Sequence, residues 1–128
     1  GGWDNNLNYN NNLRVYRVAE AYLNAAELLL ETGGDAGLAK DYVNKIRRRA
    51  GIAELGAVTL DDVINERRLE FVGEGKRYFD LVRTGKAATV LVPDSYGYRT
   101  NSWTESKKYI PIAQAELDSD PALVQNNY

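Results

Sequence analysis

Glu66 and Glu70 stand four residues apart, so a helix through them carries both carboxylates on one face. Two carboxylates are the minimum equipment for hydrolysing a glycosidic bond, and Glu74 offers a third. The same stretch, however, holds Arg67, Arg68, Arg77 and Arg83, with Asp80 among them. Guanidinium forks clamp carboxylates bidentately, and a carboxylate clamped in this way stays ionised and makes a poor general acid. The pattern therefore favours a structural ion-pair network across a helix corner over a carboxylate-based glycoside hydrolase. Its members are Glu66, Arg67, Arg68, Glu70, Arg77, Asp80 and Arg83. No catalytic residue is assigned.

Other chemistries are closed off by composition. There is no histidine and no cysteine. Zinc sites built from thiolate or imidazole and imidazole-based nucleophilic triads are thereby excluded. Oxygen-only metal sites stay open, but Glu31 to Asp35 lacks the alternating acids of a calcium loop, and no metal site is assigned. No glycine-rich nucleotide motif is present, and no cofactor is expected. A net charge of −2, with both signs interspersed, provides no basic field for a nucleic acid. The basic run Lys45 to Arg49 is interrupted by Ile46 and lies where a helix should end. A solvated, partly paired helix end explains it better than a phosphate or lipid-headgroup site.

A second polar and aromatic cluster lies outside any apolar periodicity. Tyr96, Tyr98, Arg99, Asn101 and Trp103 crowd into one loop. Aromatic rings stack on the apolar faces of sugars, while amide and guanidinium groups bond the hydroxyls. These five are the candidate ligand contacts. The competing and favoured reading folds the rings back as lids on a helical core, because large aromatics gain much from burial. Trp3 and Tyr9 carry the same ambiguity.

The elements that would position these groups are helical. After an Asn-rich lead-in over residues 1–12, residues 13–32 show Val15, Ala19, Tyr22, Ala26 and Leu29 on one helical face, with Tyr16, Leu23 and Leu30 beside it. Gly33-Gly34 ends that helix. Asp35 is the expected N-cap of a second, whose buried stripe is Ala39, Val43, Ile46 and Ala50, and Gly51 ends it. Thr59 caps a third, with Leu60, Ile64 and Phe71, helped by Val63, turned inward. Gly73 and Gly75 break the pattern before a short fourth helix from Lys76 to Thr84, closed by Gly85. Residues 93–106 read as a loop, Tyr109 to Ile112 as a short extended piece, and Ala113 to Leu117 as one helical turn before an irregular tail. The expected class is mostly α: two consecutive antiparallel hairpins with tetratricopeptide-like packing and long loops. Residues 1–128 would form a single helical domain. The onsets near Arg14 and Leu60 are further apart than the ~34 residues of a regular repeat, which argues against a solenoid.

Four pieces in order give the chain a resemblance to the C-terminal part of the SusD/RagB family of outer-membrane nutrient-binding lipoproteins of Bacteroidetes. They are the helix around Val15 to Glu27, the Val43 to Gly51 segment, Glu66 to Phe71 followed by Glu74 to Arg83, and Tyr109 to Leu117 with the Asp120-Pro121 ending. The resemblance implies non-catalytic binding of glycans, starch among them, or other nutrients at the bacterial cell surface. It implies partnership with a SusC-like TonB-dependent transporter. It also implies membrane association through the lipid anchor of a longer parent, of which this chain would be the C-terminal fragment. An interaction-only helical scaffold, without a ligand site of its own, is the alternative.

Overall fold

The computed structural model describes residues 15–127; Trp3, Tyr9 and the Asn-rich lead-in lie outside the described residues. The helices are α1 (Val18–Glu31), α2 (Ala36–Arg49), α3 (Leu60–Glu70), α4 (Arg77–Arg83), α5 (Ala87–Val90) and α6 (Gln114–Ser119), with a 3₁₀ turn at Glu105–Lys108. No strand occurs among the described residues. None of the described helices is long and apolar enough to cross a membrane. The chain divides between Arg77 and Tyr78 into two compact units.

Local chemistry explains several of the helix boundaries. Asp35 accepts a hydrogen bond from Leu38 N at 3.0 Å and so caps α2. Thr59 and Asp62 form a reciprocal capping box at the start of α3. α1 ends with Gly34 N donating to Leu29 O at 2.7 Å, which requires Gly33 at φ +68°, a conformation open to glycine. The start of α1 departs from expectation. Periodicity alone extends the helix back through Val15 and Tyr16, but Arg17 is extended (φ −148°, ψ 162°) and serves as N-cap. Its guanidinium is engaged by acids far along the chain, and Val15 and Tyr16 are exposed.

In the first unit, α1 and α2 pack as a hairpin, and α3 packs on α1. This is the succession by which tetratricopeptide-type hairpins stack. Leu23, Ala26, Ala39, Val43, Ile46, Val63 and Phe71 form the core. Besides Val15 and Tyr16, two further positions expected inside are not: Leu60 is 38% exposed and Ala50 is exposed. Both sit at helix ends, Ala50 as the C-cap of α2 and Leu60 as the first residue of α3. Several polar groups are buried instead of exposed. Glu20, Glu27, Asn44, Glu66 and Arg67 are all buried. Asn44 pins the α2–α3 loop, its Nδ2 donating to Leu55 O at 3.0 Å and its Oδ1 accepting from Leu55 N at 2.9 Å. Leu55 and Val58 then pack against the core.

The second unit holds α4 from Tyr78 onward, α5, the 3₁₀ turn and α6. Leu81 and Ala87 are its buried apolar residues. α5 falls in a stretch without readable periodicity, since four residues are too few for a helical repeat to show. Gln125 joins the tail to the extended piece, since Ile112 N donates to its Oε1 at 3.1 Å and its Nε2 donates to Ile112 O at 3.0 Å.

Candidate functional site

The carboxylates of α3 meet guanidinium groups from α2 and from the segment before α1. Glu66 accepts from Arg47 Nη1 at 2.7 Å. Glu70, with its side chain 7% exposed, accepts from Arg17 Nη1 at 2.5 Å and from Arg49 Nη2 at 2.5 and 2.7 Å. Arg17 also donates to Glu70 O at 2.7 Å and to Glu74 Oε1 at 2.7 Å. Glu74 is held below the usual carboxylate range by those Arg17 hydrogen bonds, the opposite of what a general acid needs. The guanidinium of Arg17 is in turn pushed above its ordinary value, its hydrogen bond to Glu74 outweighing desolvation.

The partners of Glu66 and Glu70 are therefore Arg47, Arg17 and Arg49, in place of the neighbouring arginines that proximity in sequence suggested. Arg67 instead donates to Asn24 Oδ1 at 2.5 Å and lies 3.8 Å from Glu20. Arg68 donates to Asn65 Oδ1, and Arg83 pairs with Asp80 at 2.9 Å. Arg77 Nη1 is buried without a hydrogen-bond partner among the described residues. Lys76 reaches Glu20 at 2.9 Å. Sequence proximity misleads here because adjacent helical residues point to different faces, whereas helix packing brings α2 beside α3.

The basic run is consumed by the same lacing. Besides Arg47 and Arg49, Arg48 pairs with Glu54 at 2.8 Å. Lys45 lies 4.8 Å from the ring centre of Tyr22 and 5.4 Å from that of Tyr42. A cavity of about 440 Å³ lined by Arg17, Arg49, Glu70 and Glu74 thus has walls of already paired charges. A neighbouring cavity of about 340 Å³ is largely apolar, with Val18, Ala19, Tyr22 and Ile46 in its wall. Among the described residues no group of three or more acids could hold a metal.

The aromatic loop of the second unit has a different character. Tyr96 and Tyr98 are 84% and 92% exposed, their ring centres 6.4 Å apart and their planes 34° apart. They are not lids. Trp103 is half-buried; its Nε1 donates to the Tyr78 hydroxyl at 3.3 Å and its backbone N to Leu91 O at 3.0 Å. The Tyr78 hydroxyl donates to Lys107 O. Arg99 Nη1 donates to Val92 O at 3.2 Å, and Asn101 is exposed. Asp94, which is not among the five candidates, holds the loop together. Its Oδ1 accepts from Tyr96 N at 2.8 Å and Tyr98 N at 3.2 Å, and its Oδ2 accepts from Arg99 N at 2.5 Å. The sequence signal for it is Asp shortly before Gly97, the usual composition of a side-chain-closed turn.

The described residues thus comprise a helical unit laced by ion pairs and, later in the chain, a smaller unit with exposed aromatics. The chain belongs to the SusD family, whose family model matches residues 2–128. It is 69% identical to surface glycan-binding protein A from Bacteroides uniformis, with a TM-score of 0.85 over 94% of this chain and 29% of that one. It is 62% identical to surface glycan-binding protein A from Bacteroides thetaiotaomicron, solved in complex with laminarihexaose, with a TM-score of 0.83 over 94% of this chain and 26% of that one. The starch-binding protein SusD of Bacteroides thetaiotaomicron is 34% identical over 116 residues, 88% of this chain and 20% of that protein. All three carry the names of binding proteins. The chain spans about a quarter of the length of the curated relatives it matches.

Proposed function

We propose that this chain takes part in non-catalytic binding of an oligosaccharide of the laminarihexaose class, a chain of β-1,3-linked glucose. The observation that carries this reading is the 62% identity, over 94% of the chain, to the protein solved with that ligand. Geometry supports the absence of turnover. Glu66 and Glu70 are occupied by guanidinium groups, and Glu74 is held ionised by Arg17. Guanidinium groups thus fill the positions from which these carboxyls would have to meet a substrate, as glycoside hydrolysis requires of its acid and base. Calorimetric titration of laminarihexaose into the chain, with maltohexaose and cellohexaose alongside, tests the reading. Binding of laminarihexaose with no release of reducing ends on prolonged incubation is expected. Binding to none of the three, or turnover that stops in Glu70→Gln, overturns it.

The family supports a wider setting: the bacterial outer membrane, attachment through a lipid anchor, and partnership with a SusC-like TonB-dependent transporter. The first unit suits a framework role there, because Arg17, Arg47 and Arg49 are spent on Glu66, Glu70 and Glu74. Co-purification with a co-encoded transporter is the expected result, and its failure under conditions that preserve such complexes counts against the partnership.

A further inference from the structure

We propose that Tyr96 and Tyr98 form a carbohydrate-stacking platform on this chain, held in place by Asp94. The inference rests on the glycan-binding reading above and adds the site. Two large aromatic side chains left in water forgo burial energy that folding would otherwise collect. Their exposure is not that of a slack loop. Asp94 gathers the backbone N–H groups of Tyr96, Tyr98 and Arg99, while Asp94 N donates to Arg99 O at 3.0 Å and Gly97 N donates to Asp94 O at 3.3 Å. Gly97, at φ +77°, supplies the conformation that lets both tyrosines project from one turn. Arg99 ties the turn to Val92 O. The rings are thus presented by a turn closed on both sides, which reduces the ordering cost of a ligand that stacks on them.

The shape of the platform bears on its ligand. Rings tilted by 34° offer two facets and not one plane. A β-1,3-linked glucan, whose successive sugars turn relative to one another, meets two facets, whereas a flat β-1,4-linked ribbon meets one. Of the five residues singled out in the sequence, Tyr96 and Tyr98 are the stacking pair. Trp103 and Arg99 are spent on the body of the unit, through Tyr78 and Leu91 for the first and Val92 for the second. Asp94 is a positioning residue. Desolvation pushes its carboxyl upward, but the three backbone donors and the charge of Arg99 together hold it below the ordinary range, so the clasp is ionised at neutral pH.

The experiment is laminarihexaose titration of the full chain carrying Tyr96→Ala with Tyr98→Ala, the same pair changed to Phe, and Asp94→Asn, with circular dichroism verifying the fold. Loss of affinity of about tenfold or more in the Ala pair, retained affinity in the Phe pair, and an intermediate loss in Asp94→Asn are expected. Wild-type affinity should also fall as acid protonates Asp94, with Asp94→Asn flat over the same range. Undiminished binding by the Ala pair overturns the platform while leaving the glycan-binding reading intact. Loss in the Phe pair overturns stacking in favour of the hydroxyls. Unchanged affinity in Asp94→Asn removes Asp94 from the site. Failure of the wild-type chain to bind overturns both readings together.

Discussion

Phe71 and the Tyr96–Tyr98 pair show two uses of aromatic side chains in one molecule. Phe71 is 3% exposed, with the guanidinium groups of Arg17 and Arg67 at 4.9 and 5.2 Å from its ring centre. Tyr96 and Tyr98 stand almost wholly in water. The two loops nearby use similar devices for opposite ends. Asn44 pins the α2–α3 loop through one donor and one acceptor, and the pinned Leu55 turns into the core. Asp94, an acceptor only, gathers three N–H groups of its loop, and the tyrosines turn out. A side-chain clasp fixes a backbone in either case. Whether the clasped side chains are buried depends on whether an apolar surface lies opposite them.

The contrast can be broken by mutation, and the largest stability effect is expected in the framework. Glu70→Gln removes a nearly buried charge that engages two arginines, and should cost about 2 kcal/mol by urea denaturation, below the usual figure for buried pairs because the Arg49 side chain is 63% exposed. A loss under about 0.5 kcal/mol would mean that the lacing is ornamental. Asn44→Ala leaves both backbone groups of Leu55 without that partner, and a cost of about 1.5 kcal/mol is expected, with faster amide exchange at Leu55 as the local readout.

Thr59→Ala opens the capping box of α3 and should cost about 1 kcal/mol near neutral pH. This effect has a pH signature. The hydrogen bond from the Thr59 side chain, with that from its backbone, depresses the folded-state pKa of Asp62. The stability it contributes is therefore complete above the unfolded value, about 3.9, and is lost as pH falls through the lower folded value. The gap between wild type and Thr59→Ala should narrow below about pH 4, and a gap that widens there would remove Asp62 from the cap. Smallest of all, Tyr96→Ala with Tyr98→Ala should move stability by no more than about 0.5 kcal/mol, as expected for exposed positions. A loss near that of Glu70→Gln would return these rings to the core and erase the contrast.

Much of the helical plan is legible in the amino-acid sequence. Asp35, Thr59, Gly33 and Gly85 act through hydrogen bonds and dihedral angles within a few residues of themselves, so their types announce their roles. The burial of Glu20, Glu27 and Asn44 is not legible there, because an acid or amide on an apolar face reads as an interruption until its partner is known. For Glu20 the partner is Lys76, more than fifty residues away. The start of α1 is hidden for the same reason, as Arg17 is drawn out of the helix by Glu70 and Glu74.

The family and the candidate residues of the aromatic loop also come from the chain alone, since motif order and composition are properties of a string. Which of those residues face a ligand is a matter of tertiary structure. Trp103 and Tyr98 are both large aromatics five positions apart, but only Trp103 has a hydroxyl and a carbonyl of its own unit opposite it. The sequence determined what each side chain could do. Long-range packing decided which partner each one met, because burial and ion pairing depend on what lies across space and not on what lies next along the chain.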